Sequence, residues 1–263
     1  MSDTEASVHY HSYLALDEIL GAQRPRSEAH DEVLFIVIHQ VYELWFKQLL
    51  HEAAHLQRSF EQGDGPRASG TLRRIREIVK IAVSQLDVLE TLTPPQYVSF
   101  RDRLDNASGF QSAQFRELEA VFGRRDERVL EYYGPDTAAR ARIADAMSRP
   151  SVFDSFLGYL AGRGYPVSQA LLERDPREPC EGSEEVQDVL LLAYRDDGEE
   201  AQVCERLIDL DEGLQEWRYR HVRMVERMIG LKVGTGGSEG AAYLRTTLFR
   251  PAFPDLWAVR NRM

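Results

Sequence analysis

DEVLFIVIHQVYELWFKQLLHEAAHLQRSF, residues 31–60, contains neither glycine nor proline. Val33 to Ile38 is rich in β-branched side chains and alone would suit a buried strand. Length decides otherwise: a run near thirty residues without a breaker is far too long for a strand. Its first half is apolar on almost every side, the pattern of a helix in the middle of a bundle. Residues 62–70 are polar and carry Gly63, Gly65, Pro66 and Gly70, which predicts a turn.

Further helices follow on both sides of later breaks. Leu72, Ile75, Ile78, Val79, Ala82, Val83, Leu86 and Leu89 recur at helical spacing, which predicts a helix over 69–90. The proline pair in TLTPPQY (91–97) ends it, and a short helix is expected over 97–104. Residues 105–112, DNASGFQS, read as a loop, and a helix opens at Gln111 or Ser112 and runs through Phe122. Helical patterns also cover 135–147, 151–161, 183–194 and 201–229. No internal repeat appears, and no linker is long enough to force a division. The expectation is one all-α domain over residues 1–263, a helical bundle completed by association with other copies.

Composition narrows the function. With 32 basic and 43 acidic residues among 263, the net charge is −11, which argues against a nucleic-acid binder. Hydrophobic residues at 43% and charged residues at 29% fit an ordinary globular chain. No stretch approaches 18 uninterrupted apolar residues, so no transmembrane helix is expected. The N-terminal MSDTE lacks the basic start and apolar core of a signal peptide. Cys180 and Cys204 are the two cysteines, too few for a disulfide scaffold or a Cys-rich zinc site. A reducing, cytoplasmic setting is expected.

Four features carry possible chemistry. His51-Glu52-Ala53-Ala54-His55 matches the H-E-x-x-H zinc signature, which would make the chain a metallopeptidase. That signature has three fixed positions and no recognisable third ligand follows, so a structural role is the better reading. Residues 234–240, GTGGSEG, resemble a phosphate loop, but Glu239 occupies the position where the dinucleotide fingerprint needs glycine, and Gly-Lys-Ser/Thr is absent. Four glycines in seven residues suit a loop that closes over a small ligand. His39 and His221 are isolated histidines on long apolar helices. His221 lies in WRYRHVR (217–223), where an imidazole among guanidinium groups has the character of a haem site: the histidine would bind iron and an arginine would pair with a propionate. Phe35 lies one turn from His39 and faces the same space, while Tyr97 and Arg101 form an i,i+4 pair able to fork a carboxylate.

In this order, the pieces resemble the tryptophan 2,3-dioxygenase family. The matching stretches are YHSYL (10–14), HDEVLFIVIHQVYELW (30–45), LETLTPPQYVSFRDRLDNASGFQSAQFR (89–116) and WRYRHVRMVERMIGLKVGTGGSEGAAYL (217–244). The resemblance implies an all-helical, cytoplasmic homotetramer that binds haem b. It implies insertion of both atoms of O2 across the indole C2–C3 bond of L-tryptophan, giving N-formyl-L-kynurenine in the kynurenine pathway. Carried over by motif, His221 is the axial iron ligand and His39 the distal group that accepts the indole N–H. Phe35 packs on the indole, Arg101 grips the carboxylate, and Thr235 contacts the ammonium. Tyr97, Leu104, Ser108 and Gly109, with Trp217, line the haem pocket. Tyr10, Tyr13 and Leu14 reach in from a neighbouring subunit.

A zwitterion with a large apolar ring needs one fixed cation, one hydroxyl-type acceptor and aromatic walls, and these assignments supply them. The chain departs from the family pattern at Glu239, where a second serine is usual, and at Asp105-Asn106, where Gly-Pro or Ser-Pro is common. It is also short near 195–202 and beyond Trp257. The alternative these departures leave open is a haem monooxygenase that transfers a single oxygen atom to a tryptophan derivative.

Overall fold

The computed structural model describes residues 8–105, 107, 109–179, 181–230, 232 and 240–263. Among them the chain is helical, with no strand. In order the helices are α1 (Tyr10–Tyr13), α2 (Leu16–Leu20), α3 (His30–Glu61), α4 (Gly65–Leu89), α5 (Pro94–Arg101), α6 (Ala113–Val121), α7 (Ala138–Met147), α8 (Val152–Gly162), α9 (Gln169–Leu172), α10 (Glu184–Asp196), α11 (Glu199–Ile229), α12 (Ala241–Arg245) and α13 (Pro254–Ala258). The all-α expectation holds.

Two helices begin earlier than expected, for one physical reason. Prolines read as breakers sit in a first helical turn, where their missing N–H has no partner to lose. Asp64 caps α4 by accepting the Arg67 backbone N–H at 3.0 Å, with Pro66 just inside the helix. A side chain at Gly65 would collide with Glu199 and Tyr159, so glycine lets the start of α4 approach α8 and α11 closely. Likewise α5 begins at Pro94, where Gln96 Oε1 accepts the Thr93 backbone N–H at 2.8 Å and the Thr93 hydroxyl at 2.6 Å. The five short helices α1, α2, α9, α12 and α13 have too few turns to show a period in sequence.

The frame is set by α3, α4 and α11. Both α3 and α11 pack along α4, and α6 and α8 close on α3. Ile38, Tyr42, Phe46, Leu49, Ala53, Leu56 and Phe60 form one buried row along α3, stepping by three or four residues. Each fully buried Leu or Phe in such a row contributes roughly 1.5–3 kcal/mol. Toward the C-terminal end of α3 the packing is solid: Phe60 meets the rings of Phe156 and Tyr159 at 5.5 and 5.6 Å. A smaller cluster of Ala120, Ile143, Ala146 and Met147 joins α6 to α7. Among the described residues, α3 is the one helix long and apolar enough to cross a membrane. Hydropathy alone therefore did not justify the expectation that no such helix is present. Glu43 and Lys47 interrupt its apolar run, and its buried row is committed to α4, α6 and α8.

Candidate active site

Because α3 and α11 each follow α4 and not one another, a space opens between them. Its volume, with the open mouth included, is about 1510 Å3. Both helices address it with the same spacing. Phe35, His39, Tyr42 and Phe46 come from α3, and Trp217, His221, Met224 and Met228 from α11, in each case at i, i+4, i+7 and i+11. That spacing puts four side chains on one face. Each face also sets an aromatic ring one turn before its histidine. The Phe35 and His39 rings lie 4.2 Å apart, and Trp217 stacks on His221 at 5.0 Å with planes 23° apart. The sequence put Phe35 with His39, and the structure gives His221 the matching arrangement.

Burial governs both imidazoles. It pushes His221 down to about 4, assisted by His39 and Arg116, so the ring is neutral at ordinary pH. It also holds His39 below the usual histidine range, against the opposing effects of the Phe35 carbonyl and Glu43. Nδ1 of His39 lies 2.7 Å from the Phe35 carbonyl oxygen. A carbonyl can only accept, so Nδ1 carries the proton and Nε2 is left as an acceptor. His39 thus meets the cavity as a neutral ring with a fixed tautomer.

Of the other expected residues, Tyr97 and Gly109 line the cavity. Arg101 ends α5 and bonds the Tyr97 hydroxyl, whose acidity burial weakens and the guanidinium partly restores. The expected i,i+4 pair is therefore formed, with Tyr97 in the cavity lining and Arg101 outside it. Leu104 packs against the main core. Tyr10 and Tyr13 are 77% exposed, and with half-buried Leu14 they stand outside the cavity of their own chain. Ser108, Thr235, Glu239 and Cys180 lie outside the described residues.

Sequence reasoning set arginines of 217–223 beside a haem but missed the α6 side chains that join Arg218 in the cavity lining. Arg116 and Glu119 from α6 and Arg218 from α11 line it beside Tyr243 and Thr247. The one available signal was the i,i+3 pairing of Arg116 with Glu119 on an otherwise apolar helix face. The H-E-x-x-H residues are elsewhere. Glu52 is buried, and it accepts from Arg74 Nη1 at 3.0 and 3.1 Å and from Gln48 Nε2 at 2.8 Å. His51 is exposed and His55 half-buried. The carboxylate that a peptidase would aim at water is spent on an arginine.

The family model described as tryptophan 2,3-dioxygenase matches residues 1–147 and 168–263. A protein named tryptophan 2,3-dioxygenase from Anaeromyxobacter sp. (strain K) is 63% identical over 98% of this chain and 97% of its own length. Proteins of the same name from Herpetosiphon aurantiacus and Bacillus thuringiensis are 51% and 40% identical, over 95% and 100% of this chain and 96% and 95% of their own lengths. An all-helical frame, a cavity flanked by two neutral histidines and matches along nearly the whole chain agree, and the chain belongs to the tryptophan 2,3-dioxygenase family of haem-dependent oxidoreductases.

Proposed function

We propose that this chain inserts both atoms of O2 across the indole C2–C3 bond of L-tryptophan to give N-formyl-L-kynurenine, with haem b carried on His221. The observation that carries this reading is a pair of neutral, buried imidazoles from α3 and α11 on one cavity. The residues present fit a haem. A neutral imidazole is the form that ligates iron, and aromatic and thioether side chains suit the faces of a porphyrin. Haem bound there would supply an iron centre that activates O2.

The chain's own residues then have separable tasks. His39 Nε2 accepts the indole N–H and fixes the ring, which Phe35 packs against. Removing that proton is not asked of it, because an indole N–H is a very weak acid and a neutral imidazole a poor match for it. Arg101, held by Tyr97 of the cavity lining, takes the substrate carboxylate in a charge-assisted grip. By family resemblance Thr235 contacts the ammonium, and Leu104, Ser108 and Gly109 belong to the pocket wall. Closure of the glycine-rich loop would exclude water. The exposed rings of Tyr10 and Tyr13 support a homotetramer in which they and Leu14 serve a neighbouring copy. One main core uniting α3 with the C-terminal segment supports reading 1–263 as a single domain.

The test is absorption followed by product analysis. Purified protein supplied with haem is expected to show a Soret band that His221→Ala loses. With L-tryptophan and labelled O2, formylkynurenine is expected to carry two labelled atoms. Retention of the band in His221→Ala, or a product with one label, would overturn the corresponding part of the proposal.

A further inference from the structure

Phe115, Glu119, Trp217 and Arg218 border a second cleft as well as the cavity between α3 and α11. With its open mouth included, this cleft has a volume of about 1490 Å3. It lies between the end of α6, the segment 122–128 and α11, and residues 250–252 close one side. Gly123 shapes the first edge. At φ 102° the chain leaves α6 in a conformation that side chains disfavour, and Arg124 turns back to donate to Glu119 at 2.8 Å. Phe115, Phe122, Trp217, Pro179 and Pro251 give the cleft flat apolar surfaces.

Although the chain carries a net charge of −11, five arginines and three carboxylates line this cleft. Two of the carboxylates are already committed. Glu119 is shared by Arg116 at 2.7 Å, Arg124 at 2.8 Å and Arg218 at 3.6 Å. Asp126 is shared by Arg128 at 2.8 Å and Arg124 at 3.6 Å, and the third, Glu127, is exposed. Arg218, 12% exposed, is left short of negative charge. Burial, with Arg124 and Arg116 beside it, holds its guanidinium below the usual arginine range in spite of Glu119 and Asp211. Arg250 lines the cleft with no side-chain partner among the described residues, on a backbone that is fixed. Its carbonyl accepts from Gln215 Nε2 at 2.7 Å and Arg218 Nη1 at 2.8 Å, and Asp211 holds the next two N–H groups, of Ala252 and Phe253, at 2.9 and 3.2 Å. Phe249, just before it, sits at φ 57° with its ring 90% exposed, a strained arrangement for phenylalanine.

We infer that this cleft is a second ligand site, which takes an aromatic monocarboxylate with its anionic oxygens on Arg218 and Arg250 and its ring against the flat apolar surfaces. The chemistry selects that class. A small excess of positive charge beside apolar walls suits one carboxylate on a planar body. Inorganic phosphate would leave the apolar walls uncovered, a neutral ring would leave the guanidinium groups unmatched, and an α-ammonium would be set among arginines. The site needs no haem and stands apart from the cavity that holds His39 and His221. A ligand there would lie against the Trp217 ring, whose stacking on His221 links the two spaces.

The test is calorimetric titration of the full-length protein with 2-naphthoate, with its neutral amide and with inorganic phosphate. Naphthoate is expected to bind, and the amide and phosphate to bind about tenfold more weakly or worse. Arg250→Glu is expected to weaken naphthoate binding by about tenfold or more, and Arg250→Gln by less. Both variants should keep the wild-type urea midpoint, because the Arg250 side chain holds nothing in the fold. Arg101→Ala should leave naphthoate binding within about twofold of wild type. Equal binding of acid and amide, phosphate binding as tight as naphthoate, or no binding of naphthoate by wild type would overturn the inference. So would naphthoate binding that survives Arg250→Glu and is lost in Arg101→Ala, which would put the acid in the cavity between α3 and α11. None of these outcomes bears on the haem reading, which the Soret band tests by itself.

Discussion

The two halves of α3 treat their histidines in opposite ways. In the N-terminal half His39 is enclosed, neutral and fixed in one tautomer by the Phe35 carbonyl, and it meets an open space. In the C-terminal half His51 and His55 sit exposed and half-buried around a Glu52 that is consumed by Arg74 and Gln48. That second half carries the better-known short signature, whereas the first matches a family only as the longer stretch 30–45. What separates them is what α3 packs on. Near Phe60 the rings of α8 fill the interior, while near His39 the divergence of α3 from α11 leaves it open. Chemistry follows the gap in the packing.

The largest effect expected from breaking this contrast is on stability. Leu56 is fully buried in the closed half, so Leu56→Ala removes contacts from a region with little room to relax. A loss of about 2–5 kcal/mol in urea unfolding is expected, with haem uptake by the folded fraction unchanged. Loss of haem binding at unchanged stability would show that the two halves are not separate in function.

A comparable effect is expected from pH in the haem-free protein. An unfolded histidine titrates near pH 6.5, whereas burial pushes His221 down to about 4. Between those values the unfolded chain holds a proton that the folded chain does not. Stability from this group is therefore full above about pH 6.5 and falls as pH drops toward about 4, by at most about 3 kcal/mol. His39, also lowered by burial, acts in the same direction. Urea midpoints at several pH values should show the loss, and His221→Leu should flatten it. An unchanged pH slope in that variant would mean that His221 is not held neutral by its surroundings.

Next comes substrate orientation. On the proposed role of His39, His39→Ala removes one acceptor for the indole N–H, worth about 1–3 kcal/mol, so kcat/KM for L-tryptophan should fall roughly ten- to hundredfold. Some turnover should remain, and selectivity should shift toward N-methylated tryptophan. His51→Ala and His55→Ala should change kcat/KM less than twofold. Complete inactivity of His39→Ala in a protein still binding haem and tryptophan would make His39 an obligatory base and not an orienting group.

The same contrast explains how much could be read before the fold was known. The long helices were legible because their apolar positions repeat over many turns, and Phe35 and His39 were paired correctly because i and i+4 share a face. The starts of α4 at Gly65 and α5 at Pro94 were misplaced because a proline that ends one helix and a proline in the first turn of the next look alike until the caps at Asp64 and Thr93 are seen. Trp217 was legible as a neighbour of His221, but its unsatisfied N–H was not, since satisfaction depends on which atoms approach in space. Arg116, Arg218 and Glu119 come from two helices separated by about a hundred residues, and nothing local marks their convergence. Motif resemblance singled out His39 and His221 as candidates; packing was needed to find the charged side chains that line the same cavity.

The smallest expected effect tests the structural reading of the closed half. Glu52 is 3% exposed, while its partner Arg74 lies largely in solvent. A guanidinium that keeps most of its hydration gains little from the pair, so the full penalty of a broken buried ion pair does not apply. Glu52→Gln keeps a side chain of the same shape that can still accept from Arg74 and Gln48, and it removes the charge from the interior. Lost Coulomb attraction and relieved desolvation then oppose one another, and the net change should be about 1 kcal/mol or less in urea unfolding. Turnover of tryptophan should be unchanged, and the purified protein should carry no stoichiometric zinc whether or not His51 and His55 are replaced. A hundredfold loss of activity in Glu52→Gln, with zinc bound in wild type and absent from His51→Ala, would move the chemistry into the wrong half of α3 and reverse the contrast between the two.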